Sequence, residues 1–445
     1  MSTALQVTVT ARQVLALGSR PTAEALQLTH LHIPGSVLRG ALAGAWLAEL
    51  GEPDPVSRGR AVIPAHRRAD FTELFEGGVR FGPLLRPGSY ITPLSVRRCK
   101  YPSAPGCPDV VIDEAFIDPP ATRCPECEGV LERGRGEVES VAGLLTEDTR
   151  VALTEGETAQ DELLYTRRSL RPRDAVGRPV TFTGRLSSAR GPLPDWLAEP
   201  RRLYLGGRRS TGGGGDYTAD SFSTPRTEPV TDRVVLRLAS PALLVDAAGR
   251  PATRPDEELL SRLLGVSVRC GRAWTRTTSV GGWHAASNLP KPEELAVSAG
   301  SVFELGLNGG TAEPEGVAAL LAHGLGLRRA EGYGWAELAT APWRPPAEAR
   351  AERQVPSTGM AADLSATLFD SGQGRWLLKE LRRFLAGFEG DRRPPPYLLE
   401  RPQLERALHD ELFRRRLELL LTRVPPEGIQ QVIEALEIRV REAAR

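Results

Sequence analysis

Leu325-Gly-Leu-Arg-Arg-Ala-Glu-Gly-Tyr-Gly-Trp-Ala-Glu-Leu338 sets an arginine pair among closely spaced glycines and then runs into a strand-like stretch. An earlier segment, Leu205-Gly-Gly-Arg-Arg-Ser-Thr-Gly-Gly-Gly-Gly-Asp-Tyr217, uses the same device. Glycine lets the backbone approach a bulky partner, and paired arginines suit phosphate oxygens. The repetition predicts two related modules gripping one polyanion. Upstream of the later segment, Arg233–Leu238 alternates like a strand, Glu257–Leu264 reads as a helix and Val266–Cys270 as a short strand. Val302–Leu307 is a further strand, Pro314–His323 a helix, and Trp335–Leu338 a last strand. That order is the βαββαβ of a ferredoxin-like unit.

The first part opens on an alternating stretch from Gln6 and then reads Thr29-His-Leu-His-Ile-Pro-Gly-Ser-Val-Leu-Arg-Gly40. Pro34 and Gly35 predict a turn, Ser36 a cap, and Val37–Leu50 a helix closed by Gly51. From 51 to about 138 the composition shifts to Pro, Gly, Arg and Cys, as in a long insertion. Regular structure is expected to resume at Arg150–Leu153, to continue through Glu162–Tyr165 and to include Val180–Leu186. The expected fold class is α+β, with module one at 1–230, module two at 231–340 and a linker at 341–359. A helical region follows at 360–445, with helices at Trp376–Phe388, Gln403–Thr422 and Pro426–Arg441. Its arginines, among them Arg382, Arg383 and Arg414–Arg416, form either a solvated face or a docking surface for protein or RNA.

Bulk composition leaves the partner open. The 445 residues carry a formal net charge of +1, with 40% apolar and 25% charged residues, so any polyanion site must come from local clustering. Lysine occurs only at positions 100, 291 and 379. No long apolar run occurs, and Met1–Ala11 lacks a charged region followed by a hydrophobic core. A membrane span and a signal peptide are therefore not expected, and a cytoplasmic protein is.

Cys99, Cys107, Cys124 and Cys127 are the sharpest chemical signal. The C-x-x-C at 124–127 lets two thiolates reach one tetrahedral ion, and Cys99 and Cys107 supply the other half. Four thiolates leave no open position, so the expected cofactor is structural zinc; reduced, metal-free cysteines are the alternative. Arg97, Arg98 and Lys100 flank the first ligand as an RNA-facing edge or a solvated one. Tyr165–Arg173 is a dense cationic patch that includes Arg167 and Arg168. Trp283 and His284 follow a glycine pair and suit base stacking or a core. His30 and His32 are either structural or a general base for RNA cleavage, and Ser36 with Arg39 suits phosphate at a helix N-terminus.

Taken together, Ile33–Gly40, Leu163–Tyr165, both glycine-rich segments, Pro93–Lys100, Ser279–Trp283, Leu289–Pro290 and Ala299–Val302 resemble the RAMP superfamily of CRISPR-associated proteins. The set is most similar to the two-module RAMP subunit of type III-D effector complexes, over roughly residues 5–340. The resemblance implies two RRM-like modules, the first with the zinc-bound insertion, in an RNA-guided complex. Its partners would be guide RNA and the other effector subunits, and it would sit near the 5′ handle of the guide. Gly35, Ser36 and Arg39 would contact guide backbone. Arg208, Arg209 and Ser210 in the first loop would do likewise, with Arg328, Arg329 and Tyr333 in the second. Some relatives cut target RNA with an acid after the first strand; between Leu17 and Thr29 this chain has only Glu24. No catalytic residue is therefore expected. Two other readings stay open: a metal-independent guide-processing endoribonuclease using His30 or His32, and a zinc-stabilised protein-interaction subunit. The first glycine loop departs from the family pattern in its four consecutive glycines at 212–215, and is expected to be more mobile than its counterpart.

Overall fold

A computed structural model describes the chain except residues 1–2, 20–25, 51–62, 102–106, 140–143, 154–158, 175–176, 189, 208–211, 224–227, 285–288, 347–358, 389–393, 423, 425 and 443–445. Strands and helices are mixed throughout, an α+β protein. Two compact units can be told apart: residues 1–98, 111–122 and 131–346, and residues 99–110, 123–130 and 347–445.

In the first unit β1 (Ala4–Ala11) is the central strand its alternation predicts. Leu5, Val7, Val9 and Ala11 are buried on one face, while Gln6, Thr8 and Thr10 lie on the other. Onto the buried face packs α1 (Gly35–Glu49), through Leu38, Ala41, Leu42 and Trp46. Each fully buried large side chain there contributes about 1.5–3 kcal/mol. The sheet is completed by β2 (Val79–Phe81), β3 (Thr181–Ser188), β4 (Arg201–Tyr204) and β5 (Gly214–Ser221), in the spatial order β4-β5-β1-β3-β2. β2 falls inside the stretch expected to be one insertion; it pairs with β3 from Phe81 opposite Leu186 to Val79 opposite Ser188.

A second sheet follows from β6 (Arg233–Leu238), α2 (Glu257–Leu264), β7 (Val268–Trp274), β8 (Val302–Leu307), α3 (Pro314–His323) and β9 (Ala336–Ala339). Its spatial order is β7-β8-β6-β9, all antiparallel, as βαββαβ connectivity requires. Without its edge strand β4, the first sheet has the same order, β5-β1-β3-β2. There the 3₁₀ turn Asp195–Ala198 takes the place of a second helix. Asp256 caps α2 by accepting from the backbone N–H groups of Glu258 and Leu259, and Gly265 ends it in the left-handed region.

β6 is buried on both faces, for a structural reason. Val234, Leu236 and Leu238 face α2 and α3, whereas Val235 joins Val302, Ala339, Trp274, Leu94 and Ala115 in another core. Leu94 and Ala115 come from the root of the insertion, where the strand Val96–Cys99 pairs with Val111–Asp113. Buried Asp113 fixes the attachment. It accepts from Arg237 at 2.7 Å, from Ser95 at 2.6 Å and from the backbone N–H of Trp343 at 2.9 Å. Residues 341–346, expected to be linker, are thus tied to this sheet by Trp343 and by Arg344, which donates to the Val111 carbonyl. Two long antiparallel strands, Leu145–Leu153 and Ala159–Leu170, exceed the two short stretches of regular structure expected there.

In the second unit, α4 (Gly359–Asp370), α5 (Gly374–Ala386), α6 (Glu411–Thr422) and α7 (Pro426–Glu442) are helical, around a core that includes Leu377, Leu381, Phe384, Leu417 and Ile433. The helix expected over Gln403–Thr422 begins only at Glu411, after the 3₁₀ turns Pro402–Leu404 and Ala407–His409. No helix among the described residues is long and apolar enough to cross a membrane.

Candidate nucleic-acid interface and metal centre

The loop after α3 and the start of α1 meet backbone to backbone. A Cβ on Gly35 would lie 1.9 Å from the Phe81 carbonyl oxygen and 2.9 Å from the Gly332 Cα. Gly332 has φ +90 and equally little room, its Cβ position being 2.7 Å from the Gly35 Cα. Two motifs almost 300 residues apart in sequence therefore share one neighbourhood because neither has a side chain. Ser36 lies within the helix rather than capping it: α1 begins at Gly35, the cap position is Pro34, and no side-chain cap bond forms.

Around this contact the cations are sorted. Arg39 donates to the Phe75 carbonyl at 2.6 Å and is held below its ordinary pKa by burial, with Glu331 pulling the other way. Arg328, in the left-handed region at φ +52, pairs with Glu331 at 2.9 Å and with Glu294, and stands 5.1 Å over the Tyr333 ring. Lys291 also pairs with Glu331. Burial pushes the Glu331 carboxyl up, but hydrogen bonds from Arg328 and Lys291 outweigh it and hold it down to about 2. Arg329 lies against His323, with Nη1 2.7 Å from Nδ1. Burial keeps His323 below its usual range, and the Arg329 and Arg80 cations reinforce this.

Arg80 is the residue that sequence reading missed. Buried on β2, it donates to the carbonyls of Leu321 at 2.9 Å and Ala322 at 3.0 Å, at the C-terminal end of α3, and to Gly334 at 3.3 Å. Its guanidinium stands 4.8 Å over the Trp335 ring. A cation at a helix C-terminus complements the dipole there. Nothing in Gly78-Val-Arg-Phe81 marks that role, because its partners are carbonyls more than 240 residues away.

The remaining expected contacts divide. Trp283 is 59% exposed in a short ladder with Pro290, and Lys291 donates its backbone N–H to Gly282 nearby. His284 lies in the same ladder, opposite Leu289. Tyr333, expected at the RNA, is instead buried, its hydroxyl donating to the Gly281 carbonyl at 3.3 Å; its ring serves the packing of the loop. Arg97 pairs with buried Glu114 at 2.8 Å, and Arg98 with Glu139 at 3.1 Å beneath the Trp343 ring. Arg167 donates to Gln27, and Arg168 pairs with Glu147 at 2.6 Å. Each of these cations already has a protein partner. Lys100 is exposed, its ammonium 5.1 Å from the Tyr101 ring centroid. Arg208, Arg209 and Ser210 lie outside the described residues, as does Glu24. At the base of that first loop, Gly214 and Gly215 are buried and open β5.

His30 and His32 stand edge to face with ring centroids 5.2 Å apart. Burial lowers them to about 4 and about 3, and His30 lowers His32 further. Both are neutral at pH 7 and weak bases.

The cysteine cluster is compact. The sulfurs of Cys99, Cys107, Cys124 and Cys127 all lie within 4.8 Å of one another. Cys99 and Cys127 are 3.6 Å apart, Cys107 and Cys124 3.9 Å. A tetrahedral ion with metal–sulfur bonds of about 2.3 Å spaces its sulfurs by about 3.8 Å, so the set fits. Backbone bonds from Cys124 to Gly129 (2.9 Å) and from Glu128 to Cys124 (2.8 Å) close the knuckle. Burial and the neighbouring thiols push Cys99 up to about 12, so four thiolates coexist here only around a cation.

Residues 126–341 match the family model described as CRISPR-associated protein (Cas_Cmr3). Among curated proteins the chain has no match. Among solved structures it is similar to a chain of the type III-B Cmr-beta complex bound to cognate target RNA and AMPPnP, at 14% identity and TM-score 0.36, covering 67% of this chain and 86% of that one. It is also similar to a CRISPR-associated Cas6 protein, at 8% identity and TM-score 0.32, covering 76% and 100%. A Cas6-related protein from Pyrococcus furiosus gives 8% identity and TM-score 0.30 over 76% and 99%. At such identities and scores these likenesses carry no functional weight. The family match begins within the Cys124–Cys127 knuckle and runs through both glycine-rich segments, and over those residues the chain is similar to the CRISPR-associated proteins of that family.

Proposed function

We propose that the chain is a non-catalytic, RNA-binding subunit of a type III CRISPR effector complex. Residues 1–230 and 231–340 are its two RAMP modules, in the arrangement of the type III-D two-module subunit. The observation that carries this reading is the approach of Gly35 to Gly332, which brings the start of α1 against the second glycine loop and Arg39 within electrostatic reach of Glu331 and Arg328. Guide backbone would lie along Ser36, Arg39 and Arg329 and reach Arg208, Arg209 and Ser210 in the first loop, with a base stacked on Trp283; Gly35, buried against Phe81 and Gly332, would shape the site without touching it. Protein contact of this kind reads backbone and shape, leaving sequence to guide pairing. Arg328, tied to two carboxylates, would orient the loop instead of meeting phosphate.

Zinc would sit on the four cysteines in a structural role, since all four positions around it are filled by protein. Guide RNA and neighbouring effector subunits are the partners this reading implies. A guide-processing nuclease is the less favoured alternative. A general base works best with a pKa near the operating pH, and burial takes His30 and His32 well below it. The test is to incubate the full chain with labelled guide RNA, with and without its 5′ handle, in EDTA. Intact RNA bound more tightly with the handle is expected. Metal-independent cleavage would replace this reading with the nuclease.

A further inference from the structure

The helical unit has a charged face that the glycine-loop interface does not use. Arg375, Lys379 and Arg382 stand at i, i+4 and i+7 on α5, one stripe of the helix. They are exposed, as is Arg383, while Leu377, Leu381 and Phe384 on the opposite side enter the core. The only acid of the helix, Glu380, is buried. Helix stability accounts for cations at the C-terminal end, where they complement the dipole. It does not account for Arg375, which lies in a first turn that contains no acid, the place where a cation is disfavoured.

Beside the end of the helix, Tyr397 packs on Phe384 with ring centroids 6.2 Å apart. Arg401 stands over the Tyr397 ring at 5.2 Å, and the Tyr397 hydroxyl, which donates to the Glu380 carbonyl at 3.5 Å, feels the Glu380 carboxylate as well as the Arg383 and Arg401 cations. A half-buried aromatic thus sits between two cations at one end of a cationic stripe. Arg382 pairs with Glu437 at 2.5 Å and is 54% exposed, and Arg383 pairs with Glu380 at 3.0 Å. Exposed ion pairs contribute little, so Arg382 can turn to another anion at small cost. Among the described residues Arg375 and Lys379 have no ion pair.

We propose that this face of α5, continued by Tyr397 and Arg401, is a second RNA contact that takes the phosphodiester backbone of a single strand. A line of cations matches a regular linear polyanion, and an aromatic between guanidinium groups suits a base following its phosphate. An acidic protein segment would satisfy the charges but would not use the exposed part of the Tyr397 ring, whose other side packs on the helical core. The contact adds to the interface proposed above and does not rest on it.

The experiment compares labelled oligouridine binding to the full chain, to an Arg375→Gln/Lys379→Gln/Arg401→Gln variant and to an Arg39→Ala/Arg329→Ala variant, across a salt series. None of the three glutamine sites is in an ion pair among the described residues. Each phosphate contact on a single strand contributes about 0.7 to the slope of log affinity against log salt, so the triple variant is expected to lose about two units. An unchanged slope in a triple variant that melts like the parent overturns the contact. A loss confined to the Arg39/Arg329 variant overturns it while leaving the glycine-loop interface standing, and a loss confined to the triple variant does the reverse. Polyglutamate competing as well as oligouridine would reassign the face to a protein. If the triple variant does not fold, ultraviolet crosslinking of oligouridine to the parent decides: crosslinked peptides within 375–401 are expected, and their absence overturns the proposal.

Discussion

Asp113 shows how much a single buried acid can do at the residue scale. With Arg237, Ser95 and the Trp343 N–H as partners, it joins the root of the insertion to the second sheet. Replacing it with alanine leaves the Arg237 cation half-buried and unpaired, a loss of about 3–5 kcal/mol. Asp113→Ala should therefore lower the melting temperature by several degrees, whereas an exposed control such as Glu405→Ala should not. The histidine pair predicts a pH effect. His30 and His32 are held below their unfolded value of 6.5, at about 4 and about 3, so the folded state binds fewer protons. Their contribution to stability is complete above pH 6.5 and is lost as pH falls towards about 4. Thermal melts across that window should be flatter for His30→Gln/His32→Gln than for the parent; equal slopes would mean that the histidines are solvated. None of these partnerships was legible in sequence. Arg80, Asp113 and Glu331 owe their roles to neighbours that only the fold supplies, and a lone charged residue in sequence has no partner to display.

Elements were far more readable, where periodicity and punctuation agree. α2 has its Asp256 cap, its Gly265 stop and a strong apolar stripe, and its predicted bounds are the observed ones. β8 and α3 were equally plain. β2 was not: three residues give no period, and the strand exists only because β3 offers an edge. The early start of α1 follows from Gly35, which the turn reading treated as a break but which the close approach of Phe81 requires within the helix. The cysteine knuckle needed no periodicity, because its spacing carries geometry directly. Replacing Cys124 and Cys127 with Ser should abolish stoichiometric zinc by elemental analysis and open residues 99–130 to protease. Unchanged zinc content would show that the metal is held elsewhere.

For the molecule as a whole, the candidate site was half legible. The motifs that resemble RAMP proteins identified both the start of α1 and the second glycine loop, and the fold brings them into contact. What the motifs could not convey is which cations are already engaged. Arg97, Arg98, Arg167, Arg168 and Arg328 look in sequence like phosphate ligands, yet each holds a carboxylate or an amide oxygen. Arg39 and Arg329 are held by a carbonyl and by a histidine, neutral partners, and Arg39 feels the Glu331 and Glu76 carboxylates without pairing with either. Arg328→Ala should therefore disturb the loop and lower the melting temperature, while Arg329→Ala should act on binding. The measurement that tests this most directly is the salt dependence of guide-RNA affinity for the parent and for Arg39→Ala/Arg329→Ala. The account predicts a slope shallower by about 0.7 for each lost contact, with similar weakening on unrelated guide sequences. An unchanged slope in a variant that melts like the parent would contradict the proposed interface.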